Sequence, residues 1–572
     1  MSIVARGPGS GLGRLAVAAV SVAMLGAACS PAPTTSPSGP ADSGAVPSPA
    51  GAAPTCNPFI PPVAPPAWWT TTTFYEVFVR SFADGNGDGI GDLDGLTAHL
   101  DYLHDLGIGA LWLMPVAESG SYHGYDLIDY RKVEQDYGDN AAFQRLVAAA
   151  HGRGIRVIVD FVINHTSDRN AWFTDALAGG SHHDWYLWSP TDPGWPGPVG
   201  PNPWHRVPTR GGSGGFYYGV FSDHMPDLNL TNQAVTDEID SIARFWLTDM
   251  DVDGFRIDAA PYLVEDGKGA QINTPETYAW LAAFRDAVHA AKGDAMDVGE
   301  VWQARVISAK YVNQGSLDMA FDFGIGPAIL NAVQGGDATS LTVGEAEVAD
   351  RYTAGPAGTF LSNHDQVRSM TSLKGDLGAA KEAAAVLLTG PGVPFIYYGE
   401  ELGLTGEKPD EHIRRPLPWT AIGPGFGFTT GTPWEPFGDG AATANVATEQ
   451  ADPTSLLSTY RELLALRTAH SALSRGSFAR VSASSPSVAA GLRVSPDEHL
   501  LVVQNLRAEP ASGVSLDLDA GLCGAPTATV LYPASLAGTI PGPTLTATGG
   551  FSGYLPLPDL PPRAVVVISL AP

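Results

Sequence analysis

The sequence has few basic residues, few cysteines and no apolar run long enough to cross a membrane. Lysine and arginine total 32 against 60 aspartate and glutamate residues, so the formal net charge is −28. A surface of that sign excludes nucleic acid as a partner and excludes docking of the folded chain on anionic lipid. The apolar run at residues 15–28 is shorter than the roughly 20 residues that span a bilayer.

The N-terminal 66 residues predict a targeting segment followed by a tether. The apolar run follows two arginines and ends in Ala-Ala-Cys29, a pattern typical of a bacterial lipobox, in which the cysteine receives a lipid. Residues 1–29 therefore predict a lipoprotein signal peptide and a protein anchored outside the cytoplasm. The alternative is ordinary signal-peptidase cleavage after Ala28, which leaves no anchor. Residues 30–66 are dense in Pro, Ser, Thr, Ala and Gly and predict a disordered linker.

The chain has only 3 cysteines. If Cys29 carries a lipid, Cys56 and Cys523 form an even pair in an oxidising compartment. The two either form a disulfide or stay as two thiols, because a sequence gives no distance between them.

From residue 74 onward, apolar runs of strand length alternate with helical patterns. Leucines at 93, 96, 100, 103 and 106 recur at helical spacing, and Gly107 ends that helix. Eight such units in series predict an α/β fold, the TIM (β/α)8 barrel. The eight predicted strands are residues 74–82, 110–116, 156–163, 252–258, 296–302, 317–323, 359–362 and 394–399.

Two regions depart from the alternating pattern. Residues 166–229 are rich in glycine, proline and aromatics with no clear helix, and so long a connection inside a barrel is usually functional. We assign it to a loop-rich domain B inserted after strand 3. The barrel is then residues 67–165 and 230–472. Residues 473–572 contain short β-rich runs between turn residues and predict a C-terminal antiparallel β-sandwich, domain C.

Four segments carry carboxylates at or near the ends of predicted strands, where barrel residues are typically catalytic. They are Asp160-Phe-Val-Ile-Asn-His165, Gly254-Phe-Arg-Ile-Asp-Ala259, Val298-Gly-Glu-Val-Trp302 and Phe360-Leu-Ser-Asn-His-Asp365. In this order they resemble the conserved regions of the α-amylase family, glycoside hydrolase family 13. Met225-Pro-Asp-Leu-Asn229 resembles the fifth region, in a form intermediate between the oligo-1,6-glucosidase and neopullulanase types.

The resemblance implies a retaining glycosidase with three catalytic residues. Asp258 matches the nucleophile, Glu300 the acid/base, and Asp365 the third carboxylate, which grips the sugar hydroxyls and favours the transition state. Arg256 lies two residues before Asp258 on one strand, so both side chains face the same way and the guanidinium favours the charged nucleophile. The alternative is that all three carboxylates are helix caps or buried ion-pair partners.

The same resemblance implies a set of sugar-binding side chains. Tyr125 would stack under the sugar to be cleaved, an arrangement that suits an aromatic face against a pyranose. Packing of this ring under the loop is the alternative. The implied substrate-binding residues are Tyr125, His123, Asp126, His165, Arg256, His364 and Arg414.

Two positions bear on specificity in opposite ways. α-Glucosidases of the family carry an aspartate where this chain has Tyr122, and losing it favours an open cleft. Six aromatics of domain B are expected to line that cleft: Trp185, Trp188, Trp195, Trp204, Tyr217 and Tyr218. Conversely, Pro261-Tyr262 replaces the Lys-His pair with which α-amylases hold the leaving glucose, and resembles trehalose synthase.

These features predict a monomeric enzyme that cleaves α-1,4 bonds in starch or maltooligosaccharides. The close alternative is glucosyl transfer, as in trehalose synthase, α-glucosidase or oligo-1,6-glucosidase. The alternative of another class is a non-catalytic sugar-binding lipoprotein, which would usually lack one of the three carboxylates.

The run Asp84-Gly-Asn-Gly-Asp-Gly-Ile-Gly-Asp92 predicts a calcium loop. Oxygen ligands recur at Asp84, Asn86 and Asp88, Ile90 offers its carbonyl, and Asp92 closes the loop. It is not an EF-hand, because Gly95 stands where that motif has glutamate. It resembles the calcium loop after the first strand of oligo-1,6-glucosidases. A turn without metal is the alternative.

Overall fold

The structure, a computed structural model, describes residues 67–207, 214–524 and 526–571. The predicted signal peptide, the linker, Cys29 and Cys56 lie outside these residues. Cys523 is disulfide-bonded. Within the described residues, every helix is too short or too polar to cross a bilayer.

Eight parallel strands close into a barrel in which each strand pairs with its neighbours in chain order, as the sequence predicts. Seven of the predicted strands are correctly placed, and the predicted runs are longer than the observed strands because they include apolar residues of the adjoining loops. The seventh prediction, residues 359–362, overlaps the observed strand only at Thr359, because the buried apolar run continues into the loop after it. We call the observed strands barrel strands 1 to 8: Phe74–Val77, Ala110–Leu113, Arg156–Phe161, Gly254–Ile257, Met296–Gly299, Met319–Phe321, Ala357–Thr359 and Val393–Tyr397.

Inward-facing side chains fill the barrel. Phe74 stacks on Phe395 at a centroid distance of 4.3 Å, and Trp112 lies 5.3 Å from Phe321. Because side chains alternate along a strand, the residues between these ones pack outward against the helices. The barrel interior is therefore a closed core, and only the loops at its carboxyl edge are free to build a site.

Helices surround the barrel. The predicted helix at residues 93–106 is two helices that meet at His99, and Gly107 ends the second with a left-handed φ of 96°. The α-helices of the barrel region are Val79–Phe82, Leu93–Ala98, Leu100–Leu106, Asn140–His151, Gln233–Arg244, Pro275–Ala291, Arg305–Asn313, Ile325–Gly335, Thr339–Arg351, Ser369–Ser372, Leu377–Thr389, Asp410–Ile413, Val446–Ala451, Leu456–Ala469 and Ser471–Arg475.

Short elements complete the barrel loops. Phe245–Asp249 continues the helix before barrel strand 4 as a π-helical turn. Ala117–Ser119 and Leu127–Val133 form a hairpin after barrel strand 2. Single 3-10 turns lie at Trp68–Thr70, Gln135–Tyr137, Ala260–Tyr262 and Glu400–Leu402.

The inserted region after barrel strand 3 has regular structure that the sequence analysis missed. It contains the helix Ala171–Leu177, whose first turn is capped by Asn170 through a 2.8 Å bond from Trp172 N. It also contains a 3-10 turn at His183–Trp185 and a small sheet of Trp188–Ser189, Trp204–Arg206 and Phe216–Tyr218. The helix is only seven residues long, too short for a periodic pattern to reveal.

An antiparallel sheet follows the barrel, as predicted for the C-terminal region. Its two halves share the strand Ser477–Ala483, and their apolar side chains form one core. The strands are Ser477–Ala483, Val488–Val494, His499–Asn505, Leu516–Ala520, Thr527–Tyr532, Gly538–Ile540, Gly549–Tyr554 and Ala564–Ala571, with a separate pair at Ala511–Ser512 and Asp559–Leu560 and a 3-10 turn at Ala534–Leu536.

Candidate active site

Three carboxylates meet at the carboxyl edge of the barrel. Asp258 directly follows barrel strand 4, Glu300 directly follows barrel strand 5, and Asp365 lies in the loop after barrel strand 7. All three line one cleft with a volume of about 550 Å³. That volume is typical of small-ligand sites, which measure roughly 300–1,000 Å³.

Arg256 joins two of these carboxylates. Its Nη1 donates to Asp258 Oδ1 at 2.7 Å, and its Nη2 lies 2.8 Å from Glu300 Oε2. Nη1 also donates to Asp160 Oδ1 at 2.8 Å, on barrel strand 3. The guanidinium is almost fully buried and lies over the rings of Trp112 and Tyr125. One cation therefore fixes the positions of Asp258 and Glu300 relative to each other.

The same three influences act on both carboxyl groups: burial and the charge of Asp365 raise their pKa values, and Arg256 lowers them. Burial raises the pKa of Asp258, and Arg256 opposes that rise through charge and a hydrogen bond. Burial also raises the pKa of Glu300, where the charges of Asp258 and Asp365 add to the rise. Glu300 also accepts from Ala259 N at 3.1 Å, and Ala259 has a left-handed φ of 49°. Such a backbone costs a non-glycine residue about 1 kcal/mol or more and is common at active sites.

Asp365 is held as a charged group. It lies 3.1 Å from His364 Nε2 and accepts from Arg414 Nη2 at 2.9 Å. Burial opposes ionisation, but these two cations keep the pKa of Asp365 well below its usual range. His364 Nδ1 in turn lies 2.5 Å from Glu76 on barrel strand 1. Burial lowers the His364 pKa, and Asp365 and Glu76 outweigh it, raising that pKa to about 10.

The residues after barrel strand 2 form one wall of the site. The Tyr125 hydroxyl lies 3.0 Å from Asp160 Oδ2 and 2.7 Å from His364 Nε2, which fixes the ring beside the carboxylates. The Tyr125 carbonyl oxygen lies 3.0 Å from His165 Nε2. Burial lowers the pKa of His165 to about 4, so this imidazole is neutral. Asp126 bonds Ser121 and lies 4.0 Å from His123.

The predicted sugar-binding residues fall into two layers. Lining the cleft are His123, Tyr125, His165 and Arg414. Arg256, His364 and Asp126 are not among the lining residues and contact those that are. A sugar in the cleft would contact the lining residues directly, and the other three residues would act on it only by positioning the lining residues.

The expected aromatic lining from domain B is wrong. Trp204 and Tyr218 are buried in a small core of domain B, Tyr217 is buried in the larger core that includes the barrel, and none of the six predicted aromatics lines the cleft. Domain B contributes Val199 and a short loop instead: Phe221, Ser222 and Met225. The strands that carry four of these rings are only two or three residues long, too short for an alternating pattern to show which side chains face the cleft.

The two specificity positions lie at different places. Tyr122 packs 5.4 Å from Trp434, and the Arg414 guanidinium lies 6.0 Å above its ring. Tyr262 lines the cleft and meets Phe221 of domain B edge-on at 5.4 Å. The residue that departs most from the α-amylase pattern therefore forms part of the cleft wall.

The predicted calcium loop curls around its own oxygen atoms. Asp84 Oδ1 accepts from Asn86 N and Gly87 N, and Asp92 Oδ2 accepts from Gly85 N at 3.0 Å, so the two ends of the loop meet. Carboxylate, amide and carbonyl oxygens are the donors that Ca²⁺ takes. However, no three His, Cys, Asp or Glu side chains in the described ranges lie close enough together to hold a metal. The donor chemistry of Asp84, Asn86, Asp88, Ile90 and Asp92 fits calcium, while their placement is that of a closed turn.

Three functional contacts were missed in the sequence. Glu76 is a lone carboxylate in a buried strand, and that isolation was a usable signal. Asp410 lines the cleft and lies 3.5 Å from Arg414. Nothing in the sequence marks the Ala259 N–H, because only the backbone turn directs it at Glu300.

Comparison with known proteins places this site in a family. Residues 76–476 match the family described as the α-amylase catalytic domain. The chain is 38% identical over 457 residues to alpha-amylase 3 of Dictyoglomus thermophilum, covering 77% of this chain and 85% of that protein. It is 34% identical over 484 residues to the trehalose synthase/amylase TreS of Mycolicibacterium smegmatis, covering 74% and 80%.

Solved structures agree with the fold. The crystal structure of α-amylase from H. orenii superposes with a TM-score of 0.74 at 34% identity, covering 88% of this chain and 99% of that one. A closed barrel, a carboxylate cluster joined by one arginine, and a match across most of the chain lead to one conclusion. The chain belongs to the α-amylase family, glycoside hydrolase family 13, and is an enzyme acting as a glycoside hydrolase or glycosyl transferase.

Proposed function

We propose that the protein hydrolyses internal α-1,4-glucosidic bonds of starch and maltooligosaccharides with retention of configuration. Asp258 attacks the anomeric carbon while Glu300 donates a proton to the leaving oxygen, so the glycosidic bond breaks as an ester to Asp258 forms. Glu300, now ionised, then takes a proton from water, and the hydroxide displaces Asp258 and releases the sugar. Asp365 binds the sugar hydroxyls and favours the flattened, positively charged transition state.

The exposed indole of Trp302 is the observation that supports an oligosaccharide or polysaccharide chain as the substrate. Trp302 lines the cleft two residues after Glu300, is 49% exposed, and stacks on Phe323 at 4.7 Å and 10°. An aromatic face that is braced from below and open above suits the apolar face of a pyranose. Its position beside the acid/base supports binding of a further sugar beyond the bond that is cut.

A second reaction, conversion of maltose to trehalose, is favoured by Tyr262. Its edge-on contact with Phe221 bridges the barrel and domain B across the cleft wall. Such a bridge suits an enzyme that retains the released glucose for transfer instead of losing it to water.

Product analysis separates the two reactions. The purified protein is given soluble starch, maltose and pullulan in separate reactions, and products are followed by chromatography with starch viscosity in parallel. Rapid loss of viscosity with short maltooligosaccharides is the expected outcome. If the protein forms trehalose from maltose and leaves starch intact, the proposed hydrolysis is rejected and conversion of maltose to trehalose is the function.

Trp302 offers a variant that tests the basis of the proposal. Trp302→Ala should raise KM for maltodextrin about five- to tenfold, because a stacked ring contributes about 1 kcal/mol beyond its buried area. KM for a substrate with only one sugar beyond the scissile bond should change less. Equal effects on long and short substrates contradict the role of Trp302 in chain binding.

We also propose that the loop at residues 84–92 binds Ca²⁺ through the five oxygen donors named above. A bound ion stabilises the folded state by mass action, so EDTA should lower Tm and added calcium should restore it. Asp88→Ala should abolish this response. Asp94→Ala is the matched control, because Asp94 lies next to the loop and pairs with Arg145 on the surface. An unchanged EDTA response in Asp88→Ala excludes this loop as the site.

Localisation is likewise a proposal. We expect export and lipid attachment at Cys29, on the strength of the Ala-Ala-Cys29 pattern. Mass spectrometry of the mature N-terminus tests it: a lipid-modified Cys29 supports anchoring, and any other unmodified first residue refutes it.

A further inference from the structure

The backbone that carries Arg414 is held at three successive carbonyls. Each carbonyl accepts a hydrogen bond from a different buried side chain of the barrel. The donors are Arg368 Nε to Ile413 O at 2.7 Å, Ser81 Oγ to Arg414 O at 2.5 Å, and the Tyr398 hydroxyl to Arg415 O at 2.8 Å. We call the three donor residues, Ser81, Arg368 and Tyr398, the 413–415 clamp.

The three donors are themselves firmly held. Ser81 and Tyr398 are fully buried, and Arg368 is 2% exposed. The Arg368 guanidinium lies 4.8 Å over the Tyr398 ring, and its Nη1 donates to Tyr398 O at 2.7 Å. Ser81 also accepts from Trp434 Nε1 at 3.0 Å. The clamp residues are distant in sequence and adjacent in space, and they join the segments that follow barrel strands 1, 7 and 8.

The guanidinium at the end of this backbone reaches the reaction centre. Arg414 Nη2 donates to Asp365 Oδ1 at 2.9 Å, and its Nε donates to His364 O at 3.0 Å. Arginine has a long side chain with several torsions, so its head is only as well placed as its backbone allows. A misplacement of about 1 Å in a catalytic group can cost about a hundredfold in rate.

We propose that Ser81, Tyr398 and Arg368 are positioning residues for Arg414. They hold its backbone so that the guanidinium stays on Asp365 while the sugar is distorted toward the transition state. The inference rests on the proposed function, because it takes Asp365 to act on the reacting sugar. None of the three donors lines the cleft, so each acts through Arg414 and not on the substrate.

A purely structural role gives a different result. Buried hydrogen bonds stabilise a fold wherever they are, and losing one costs stability whether or not Arg414 is present. A positioning role instead predicts that the effect of the clamp variants on activity depends on the Arg414 side chain. Once that side chain is removed, a looser backbone at residue 414 no longer displaces a guanidinium, so activity should change little. A double-mutant cycle measures that dependence.

The test deletes single hydroxyl groups. Ser81→Ala and Tyr398→Phe are made in the parent and in Arg414→Ala, and kcat and KM are measured on the substrate that the parent turns over fastest. In the parent background we expect kcat/KM to fall about tenfold, mainly in kcat. In the Arg414→Ala background the same changes should alter kcat/KM less than about twofold.

Matched controls delete buried hydroxyls that bond carbonyls elsewhere. Ser316 Oγ donates to Tyr278 O at 2.9 Å below the barrel, and the Tyr554 hydroxyl donates to Pro541 O at 2.8 Å in the C-terminal sheet. Ser316→Ala and Tyr554→Phe should lower Tm by amounts similar to those of the clamp variants and leave kcat unchanged.

Two results overturn the proposal. One is an equal loss of activity in the presence and absence of the Arg414 side chain. The other is a loss of Tm in Ser81→Ala and Tyr398→Phe with kcat/KM unchanged. These two results are distinct from failure of the proposed function. If the protein is an isomerase, the same double-mutant cycle is measured on maltose. Full activity in Asp258→Asn would reject the proposed mechanism whatever the cycle shows. Arg368→Lys adds a third point if it folds, and the two hydroxyl deletions decide without it.

Discussion

Barrel strand 4 has an aspartate just outside each end, and the two differ in how completely they are bonded. Asp253 precedes the strand at the amino edge and is fully buried. Asp258 follows the strand at the carboxyl edge and is 7% exposed, at the base of the cleft. Both contact an arginine at 2.7 Å. A carboxylate beside an arginine is therefore not in itself a mark of catalysis.

Asp253 is saturated. It pairs with Arg156 and with His151 Nε2 at 2.7 Å, and its Oδ2 accepts from Val157 N at 2.8 Å. Burial by itself raises the pKa of Asp253, but bonds from His151, Val157 N and Arg156 outweigh it and lower that pKa to about 2. Every lone pair that could react is occupied, so this aspartate can only hold barrel strands 3 and 4 together.

Asp258 is half-bonded. Arg256 holds Oδ1, and within the described residues no hydrogen bond reaches Oδ2. The side chain lines the cleft, and burial raises the pKa of the group. A reactive carboxylate therefore needs one oxygen held by a hydrogen bond and the other free to react. Four predictions, ordered from the largest expected effect to the smallest, test this difference between Asp253 and Asp258.

Asp258→Asn should lower kcat by about 10⁴-fold or more, because an amide cannot form the covalent intermediate. Tm should change little, since the amide still bonds Arg256. Steady-state and single-turnover rates on maltodextrin measure the loss. Residual kcat above a few per cent of the parent would show that Asp258 is structural, as Asp253 is.

Glu300→Gln should lower kcat by about 10²–10⁴-fold on natural substrates, because the leaving oxygen loses its proton donor. A glycoside with a nitrophenyl leaving group needs little protonation, so its bond-breaking step should be slowed far less. Comparing the two substrates by burst kinetics tests the assignment. Equal losses on both would remove Glu300 from the acid role.

Asp253→Asn should do the reverse of Asp258→Asn. It leaves Arg156, His151 and Lys292, whose Nζ lies 3.4 Å from Asp253 Oδ1, around a neutral side chain. Breaking a buried ion pair costs about 3–5 kcal/mol. We expect Tm to fall by several degrees and kcat, measured well below the new Tm, to stay near the parent value. A large loss of kcat at unchanged Tm would make the amino edge part of the active site.

The pH dependence of stability gives the smallest effect. The folded-state pKa of Asp253 is about 2, below the unfolded value of about 3.9, so the unfolded chain binds more protons between these values. Asp253 therefore contributes about 2–3 kcal/mol that is present above pH 4 and lost as pH falls toward 2. The difference in unfolding free energy between parent and Asp253→Asn should shrink over that window. A constant difference from pH 5 to pH 2.5 would contradict the lowered pKa.

The sequence by itself determined the barrel and which carboxylates stand at its carboxyl edge. Buried parallel strands leave continuous apolar runs and amphipathic helices leave periodic ones, and each predicted catalytic carboxylate lies a few residues after the end of a strand. Asp258, Glu300 and Asp365 are therefore found where the motifs indicate, at the carboxyl edge and in one cleft. Even the pairing of Arg256 with Asp258 follows from two-residue alternation on one strand.

Only the tertiary structure decided what surrounds those groups. The bridge from Arg256 to Glu300, the support of His364 by Glu76, and the clamp on residues 413–415 all join segments distant in sequence. The aromatic side chains of domain B show the same limit, since their composition suggested a sugar-binding surface while packing turned Trp204 and Tyr218 into a core. Local patterns fix which residues a strand or loop presents. Which of them meet, and which are left open to a substrate, depends on how those distant elements pack.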